Sequence, residues 1–158
     1  MLRRKNKIAN DILGTDVVVQ IGIIVRDIEK AVEEYSKIFG VEKPEIIITD
    51  IYEKAKTQYK GSPTPARAKL AFFKNFKNVE IELIEPDENP STYREFLDSH
   101  GEGVHHLGFL VKGTQKIIED FKKNGIEVAQ KGYYTGGMYT YLDSFEKIKF
   151  IIELLENF

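Results

Sequence analysis

The chain has no cysteine. That excludes disulfides, thiolate metal ligands and a cysteine nucleophile, and it suits a reducing, cytoplasmic compartment. Nor is there an excess of either charge: 23 lysines and arginines stand against 25 acidic residues, a net charge of −2. A general nucleic-acid or membrane surface needs a basic excess, so neither partner is expected. No stretch is long and apolar enough to span a bilayer. The N-terminus, MLRRKNK, is basic, but the IANDILGTD that follows is polar and mixed, unlike the apolar core of a signal peptide. This basic arm reads as a solvated tail. What remains is 158 residues, 42% hydrophobic and 30% charged. That is an ordinary globular composition, long enough for one domain with a proper core or for two small fused repeats.

The sequence contains an internal duplication. Gln20 to Val25 reads QIGIIV and His106 to Val111 reads HLGFLV. Aligning Gln20 with His106 also aligns Gly22 with Gly108 and Val25 with Val111, and the basic residues Arg26 and Lys112 follow at once. Two similar helical runs come next, DIEKAVEEYSKIFGVE and GTQKIIEDFKKNGIE. The repeats also end alike, IELIE against IELLE, which aligns Glu82 with Glu153. The repeat spacing is shorter at the ends than at the starts because the first copy carries a longer loop.

Val17 to Val25 is a buried strand by its β-branched content, interrupted by Gln20. Asp27 stands where an N-cap belongs. Ile28, Ala31, Val32, Tyr35, Ile38 and Phe39 then recur at helical spacing, and Gly40 is the stop. Strands are expected over 45–49, 68–73 and 79–85, with a long lysine-rich loop over 52–65 broken by Gly61, Pro63 and Pro65. A connector follows, with a short helix opened by Pro90 and Ser91 and closed by Gly101. The second copy repeats the order: strand 104–111, helix 115–123, strand 126–133, a turn at Thr135 to Gly137, strand 138–142 and a last strand 147–155. Module 1 therefore spans about 15–88, the connector 90–101 and module 2 about 103–156, all within one domain of 1–158. The fold class is α+β.

Side chains alternate across a strand. Gln20 shares a face with Gly22, and His106 with Gly108, while Glu82 and Glu153 face away from their apolar neighbours. The wholly apolar faces are expected under the two helices, leaving Gln20, Glu82, His106 and Glu153 inside a curved sheet. A pseudo-two-fold brings all four to one point. Two buried carboxylates close together are costly, because burial and mutual repulsion both oppose ionisation. A divalent cation removes both problems, and neutral His and Gln complete a hard N/O donor set suited to zinc, cobalt, nickel, manganese or iron. His105 competes with His106, but strict alternation places it on the helix-covered or rim face. A His100–His105–His106 cluster is a further alternative, which leaves both glutamates unexplained.

These residues resemble the vicinal oxygen chelate superfamily, the glyoxalase and bleomycin-resistance fold, over nearly the whole chain from about residue 15. The stretches QIGIIVRDIEKAVEEYSKIFG, VEIELIEP and FLDSHGEGVHHLGFLV look most like methylmalonyl-CoA epimerases and their relatives, whereas the set Gln–Glu–His–Glu is that of the zinc form of glyoxalase I. The resemblance implies two tandem βαβββ modules forming a curved mixed sheet around a metal cup, often in homodimers. It implies that Gln20, Glu82, His106 and Glu153 hold a divalent ion, zinc first and cobalt, nickel or manganese next. In the superfamily the ion polarises a carbonyl and stabilises an enediolate or enolate as a carboxylate takes the adjacent proton, and Glu153, then Glu82, are the expected bases. Epimerases carry a further carboxylate on the strand corresponding to Ala68–Phe73, which here reads AKLAFF and has none. The expectation is a metal-dependent isomerase or lyase acting on a small anionic substrate. The alternative is a resistance-type protein that binds a small molecule without turnover, while a ring-cleaving dioxygenase is disfavoured by Gln20 in place of a histidine. The long loop with Lys54, Lys56 and Lys60 reads first as a solvated loop, the alternative being a cover that attracts the anion, and YYTGGMYTY is either a flexible rim or an ordinary hairpin.

Overall fold

The structure is a computed structural model and describes residues 11–158; the basic arm lies outside the described residues. The ten strands among the described residues belong to one sheet, ordered β2-β5-β6-β1-β7-β10-β9-β8-β3-β4. In the first half, β1 (Gln20–Ile24) runs parallel to β6 (Glu80–Pro86), β6 antiparallel to β5 (Ala68–Phe73), and β5 antiparallel to β2 (Ile46–Ile48). The second half repeats this. There β7 (Gly103–Leu110) is parallel to β10 (Ile151–Asn157), β10 antiparallel to β9 (Gly137–Leu142), and β9 antiparallel to β8 (Val128–Tyr134). The halves join through antiparallel β1 and β7, so the two modules pair within one chain.

Local sequence explains the helices. Helix α1 (Ile28–Phe39) starts at Asp27, whose carboxylate accepts from Lys30 N at 3.0 Å, and ends at Gly40, which takes the left-handed conformation. It covers the outer face of the first half with Ile28 and Val32 against Phe73, Leu83 and Val25. Its counterpart α4 (Thr114–Lys123) buries Ile118 and Phe121 against Phe109, Ile152 and Leu154 of the second half. The last glutamate of each repeat caps the helix of its own module. Ile28 N donates to Glu85 at 2.8 Å, and Gly113 N and Thr114 N donate to Glu156 at 2.7 and 3.0 Å. The matched endings IELIE and IELLE thus place a carboxylate at a helix N-terminus twice, where dipole and free N–H groups favour it.

The connector helix α3 (Thr92–His100), capped by Ser91, lies on the opposite face of the sheet. Its Tyr93, Phe96 and Leu97 pack with Ile24, Ile84, Tyr141 and Ile151, which share their strand faces with Gln20, Glu82 and Glu153. The connector therefore closes one end of the concave side.

Three expectations are corrected. The segment 52–65 is not a plain loop: it holds a turn of helix α2 (Tyr52–Ala55) and a small hairpin, β3 (Gln58–Tyr59) with β4 (Ser62–Pro63). Strand β3 pairs with β8, at the edge of the sheet opposite β2. Only residues 49–57 separate β2 from β3, a reach of roughly 30 Å at full extension, so the two edges must curl toward each other. Residues 147–150 are not strand either, because α5 (Phe145–Ile148) and Lys149 at φ 67° precede β10. The alternation of β7 breaks at a bulge, as Gly22 pairs with His106 but Ile23 with Val104. His105 is the extra residue, and it lies buried against Tyr93, Phe96 and Tyr141 on the concave side rather than under an outer helix or at the rim. Among the described residues, no helix is long and apolar enough to cross a membrane.

Candidate functional site

The structure brings Gln20, Glu82, His106 and Glu153 together. Each comes from one of the four central strands β1, β6, β7 and β10, and all four side chains are buried. His106 Nε2 is the common neighbour, 3.2 Å from Glu153 Oε2, 3.4 Å from Glu82 Oε2 and 3.3 Å from Gln20 Oε1. The repeated glycines make this approach possible. A Cβ on Gly22 would stand 1.9 Å from His106 Cε1, and one on Gly108 2.8 Å from Glu153 Oε2 and 3.0 Å from Gln20 Cβ. Each glycine sits cross-strand from a member of the cluster, Gly22 from His106 and Gly108 from Gln20.

Burial and charge set the protonation pattern. Burial alone would lower the pKa of His106, but the Glu153 and Glu82 carboxylates outweigh it and raise it to about 9. Glu82 is itself raised, first by burial and further by the charges of Glu153 and Glu80, with His106 opposing. His105 is held well below the usual imidazole value by burial and by the charge of His106. The two Nδ1 atoms are 2.9 Å apart. A charged His106 beside a neutral His105 makes His106 the donor and leaves the His105 proton on Nε2. That atom is buried without a hydrogen-bond partner.

One N–H cannot satisfy three oxygens, and Glu82 Oε2 and Glu153 Oε2 are both buried without a hydrogen-bond partner. As they stand, the four side chains form an ion-paired cluster rather than a finished coordination shell. Their chemistry nonetheless fits a cation. Two donors about 2.1 Å from a shared ion are about 3.0 Å apart at right angles and about 3.4 Å apart at the tetrahedral angle. The separations from His106 Nε2 lie within or at the edge of that range.

A cavity of about 640 Å³ opens onto the cluster and is lined by Gln20, Glu82 and Glu153, with His106 buried beneath its floor. Its walls carry Leu70 and Phe72 from β5 and Tyr133, Tyr134, Tyr139 and Tyr141 from β8 and β9. No acid from β5 lines it, as AKLAFF requires. YYTGGMYTY is both hairpin and rim: it turns at Gly136, and the Tyr134 hydroxyl donates to Asn157 at 2.7 Å. The loop lysines are absent from the walls. Lys60 is bound to Glu95 at 2.8 Å, Lys54 lies 3.8 Å from Asp50, and Lys56 stands over the Tyr52 ring. Positive charge at the cavity comes instead from Arg67 and Lys74. Arg67 is steadied by donating Nε–H to the Thr49 carbonyl at 2.7 Å. His100 is not part of the cluster; it stacks on Phe96 and meets Phe145 edge-on.

Sequence reasoning missed two buried or half-buried polar groups here. Gln130 accepts from Thr92 N at 2.8 Å and donates to the Tyr139 hydroxyl at 3.1 Å, tying β8 to the start of α3. Glu80, cross-strand from Gln20, accepts from its Nε2 at 2.8 Å. Glu80 was legible as the residue two before Glu82 and hence on the same face.

The family model for the glyoxalase/bleomycin resistance protein/dioxygenase superfamily matches residues 19–141. No curated protein matches the sequence. Several solved structures share the fold. A hypothetical protein from Bacillus halodurans C-125 is 22% identical, over 89% of this chain and 94% of that chain, at a TM-score of 0.60. Methylmalonyl-CoA epimerase from Mycobacterium tuberculosis is 20% identical, over 92% and 93%, at 0.59. A Streptomyces coelicolor methylmalonyl-CoA epimerase in complex with 2-nitronate-propionyl-CoA is 21% identical, over 89% and 93%, at 0.58. At such identities the likeness is one of fold. The duplicated modules, the curled mixed sheet and the family match together establish that the chain belongs to the glyoxalase/bleomycin resistance protein/dioxygenase superfamily, whose members include enzymes and commonly bind divalent metals.

Proposed function

We propose that this protein is a divalent-metal-dependent isomerase or lyase that moves a proton on the carbon next to a carbonyl. The observation that carries the reading is the convergence of Gln20, Glu82, His106 and Glu153 on one point, with two buried carboxylate oxygens lacking any hydrogen-bond partner, at the floor of a cavity. Gln20 Oε1, Glu82 Oε2, His106 Nε2 and Glu153 Oε2 would hold the ion, zinc first, with cobalt, nickel and manganese as alternatives for this oxygen- and nitrogen-rich set. When bound, the ion supplies Lewis acidity toward a carbonyl oxygen.

The chain's own groups do the rest. Glu153 is the base that takes the α-proton and Glu82 the second carboxylate, the two facing the substrate from opposite modules. Two bases from opposite halves replace the carboxylate that β5 lacks. Burial holds the Tyr93 and Tyr141 phenols protonated, so they line the floor as neutral groups. Arg67 and Lys74 are the cations that an anionic substrate group would meet at the cavity, beside the carboxylates of Asp50 and Glu80. The tyrosine-rich wall supports a second reading, a non-catalytic protein that sequesters a small aromatic molecule.

The test follows solvent deuterium into the α-carbon of acyl-CoA thioesters and glutathione hemithioacetals, with cobalt- or zinc-loaded protein. Metal-dependent exchange that falls at least about a hundredfold in Glu153→Gln supports the enzyme. A wild-type protein that takes up no divalent ion, or that binds aromatic ligands tightly without any exchange, overturns it in favour of sequestration.

A further inference from the structure

A glutamine ligand poses a problem that a carboxylate or imidazole does not. Its amide has an acceptor end and a donor end of nearly equal size, and only the oxygen end can face a cation. Here the choice is made by a neighbour outside the four. Gln20 and Glu80 are direct cross-strand partners on the parallel strands β1 and β6, on the same face. Glu80 Oε1 stands 2.8 Å from Gln20 Nε2. Glu80 Oε1 accepts from the amide nitrogen, and Gln20 Oε1 is thereby turned toward His106 Nε2 at 3.3 Å. The other oxygen of Glu80 is 4.0 Å from Lys74 Nζ, an exposed and loose ion pair that leaves Glu80 available to the amide.

We infer that Glu80 is the positioning residue of the site: it holds the Gln20 carboxamide with its oxygen toward the shared point, and so makes the fourth group a ligand rather than a repelling donor. The inference rests on the metal reading above. Glu80 itself stays outside the cluster, since it is Glu82 and Glu153, not Glu80, whose oxygens approach His106 Nε2. Without Glu80 the amide can rotate by half a turn and present its NH2 group to a cation. Groups that orient ligands in this way typically change metal affinity 10- to 100-fold.

The experiment is a cobalt(II) titration of metal-free protein, read by visible absorption and by competition with zinc. It compares wild type, Glu80→Ala, Glu80→Gln, Gln20→Ala and the double variant Gln20→Ala with Glu80→Ala. Glu80→Ala should weaken cobalt binding about tenfold or more and alter the spectrum. Glu80→Gln keeps an acceptor oxygen for the amide but removes the charge, and should bind within about threefold of wild type. In the Gln20→Ala background the Glu80→Ala change should cost little more, because there is no amide left to orient. Equal affinity in wild type and Glu80→Ala overturns the inference. So does a loss that persists at full size in the Gln20→Ala background, which would make Glu80 a source of negative potential alone. A wild-type protein that takes up no cobalt overturns the metal reading itself, and is distinguished by failing before any variant is compared.

Discussion

Gly22 shows how little room the site leaves. The ring of His106 occupies the space where any side chain at position 22 would begin. Gly22→Ala should displace that ring, abolish cobalt uptake and destabilise the fold by about 1–3 kcal/mol, the usual range for overpacking; urea denaturation and metal titration would check both. His106 also carries a proton that a metal must displace. Its pKa near 9 lies above the unfolded value of 6.5, so in the metal-free protein it is charged at pH 7 and the stability this contributes is complete below about 6.5 and lost as pH rises through about 9. Binding one divalent ion at pH 7 should accordingly release about one proton, and affinity should rise with pH until about 9. Proton release measured with an indicator dye in weak buffer would test this; no release would mean that His106 keeps its proton and is not a ligand. The alignment of Gln20 with His106 and of Gly22 with Gly108 made these residues legible in the sequence. The position of His105 was not legible, because a bulge is a tertiary adjustment of two strands and leaves no periodic trace.

At the scale of elements, the two helix caps are a consequence of the duplication. Glu156 accepts two hydrogen bonds, from Gly113 N and Thr114 N, and the Thr114 side chain together with these N–H groups holds its carboxyl below the usual range. Glu156→Ala should cost about 1 kcal/mol, in the range for loss of an N-terminal cap, with Glu85→Ala similar at α1; calorimetry of the two variants would measure it. The segment 52–65 is fastened differently. Tyr59 and Lys60 on the β3–β4 hairpin both donate to Glu95 of α3 at 2.8 Å. Burial would raise the pKa of Glu95, but these two hydrogen bonds outweigh it and lower it. A lowered carboxylate stabilises above its unfolded pKa and loses that contribution as pH falls through the folded one. Amide exchange at residues 58–64 should therefore accelerate relative to the rest of the sheet as pH drops below about 4.5, and Glu95→Gln should show the faster exchange already at pH 7. The composition of this segment, with its lysines, glycine and prolines, reads as loop because its strands are two residues long and their partner, β8, is some seventy residues away in the chain.

For the whole molecule, an ion bound as proposed would be a crosslink among four strands drawn from both modules. It should raise the melting temperature: at a free metal concentration one hundred times Kd the gain is about 2.7 kcal/mol, or roughly 5–10 °C for a chain of this size, and Glu153→Gln should remove the shift. A scan of thermal unfolding with and without zinc would decide it. The sequence by itself determined the duplication, the order of the longer strands and helices, and which faces are apolar, because these depend on periodicity and on residues close together in the chain. It also singled out Gln20, Glu82, His106 and Glu153, because duplication repeats position as well as type. Only the tertiary structure decided that the modules pair within one chain, that the hairpin from module 1 closes onto β8 of module 2, and that Gln130 and His105 stand beside the site. Those facts depend on register across strands and on the curl of the sheet, which are set by packing between residues far apart in the chain and have no local signature.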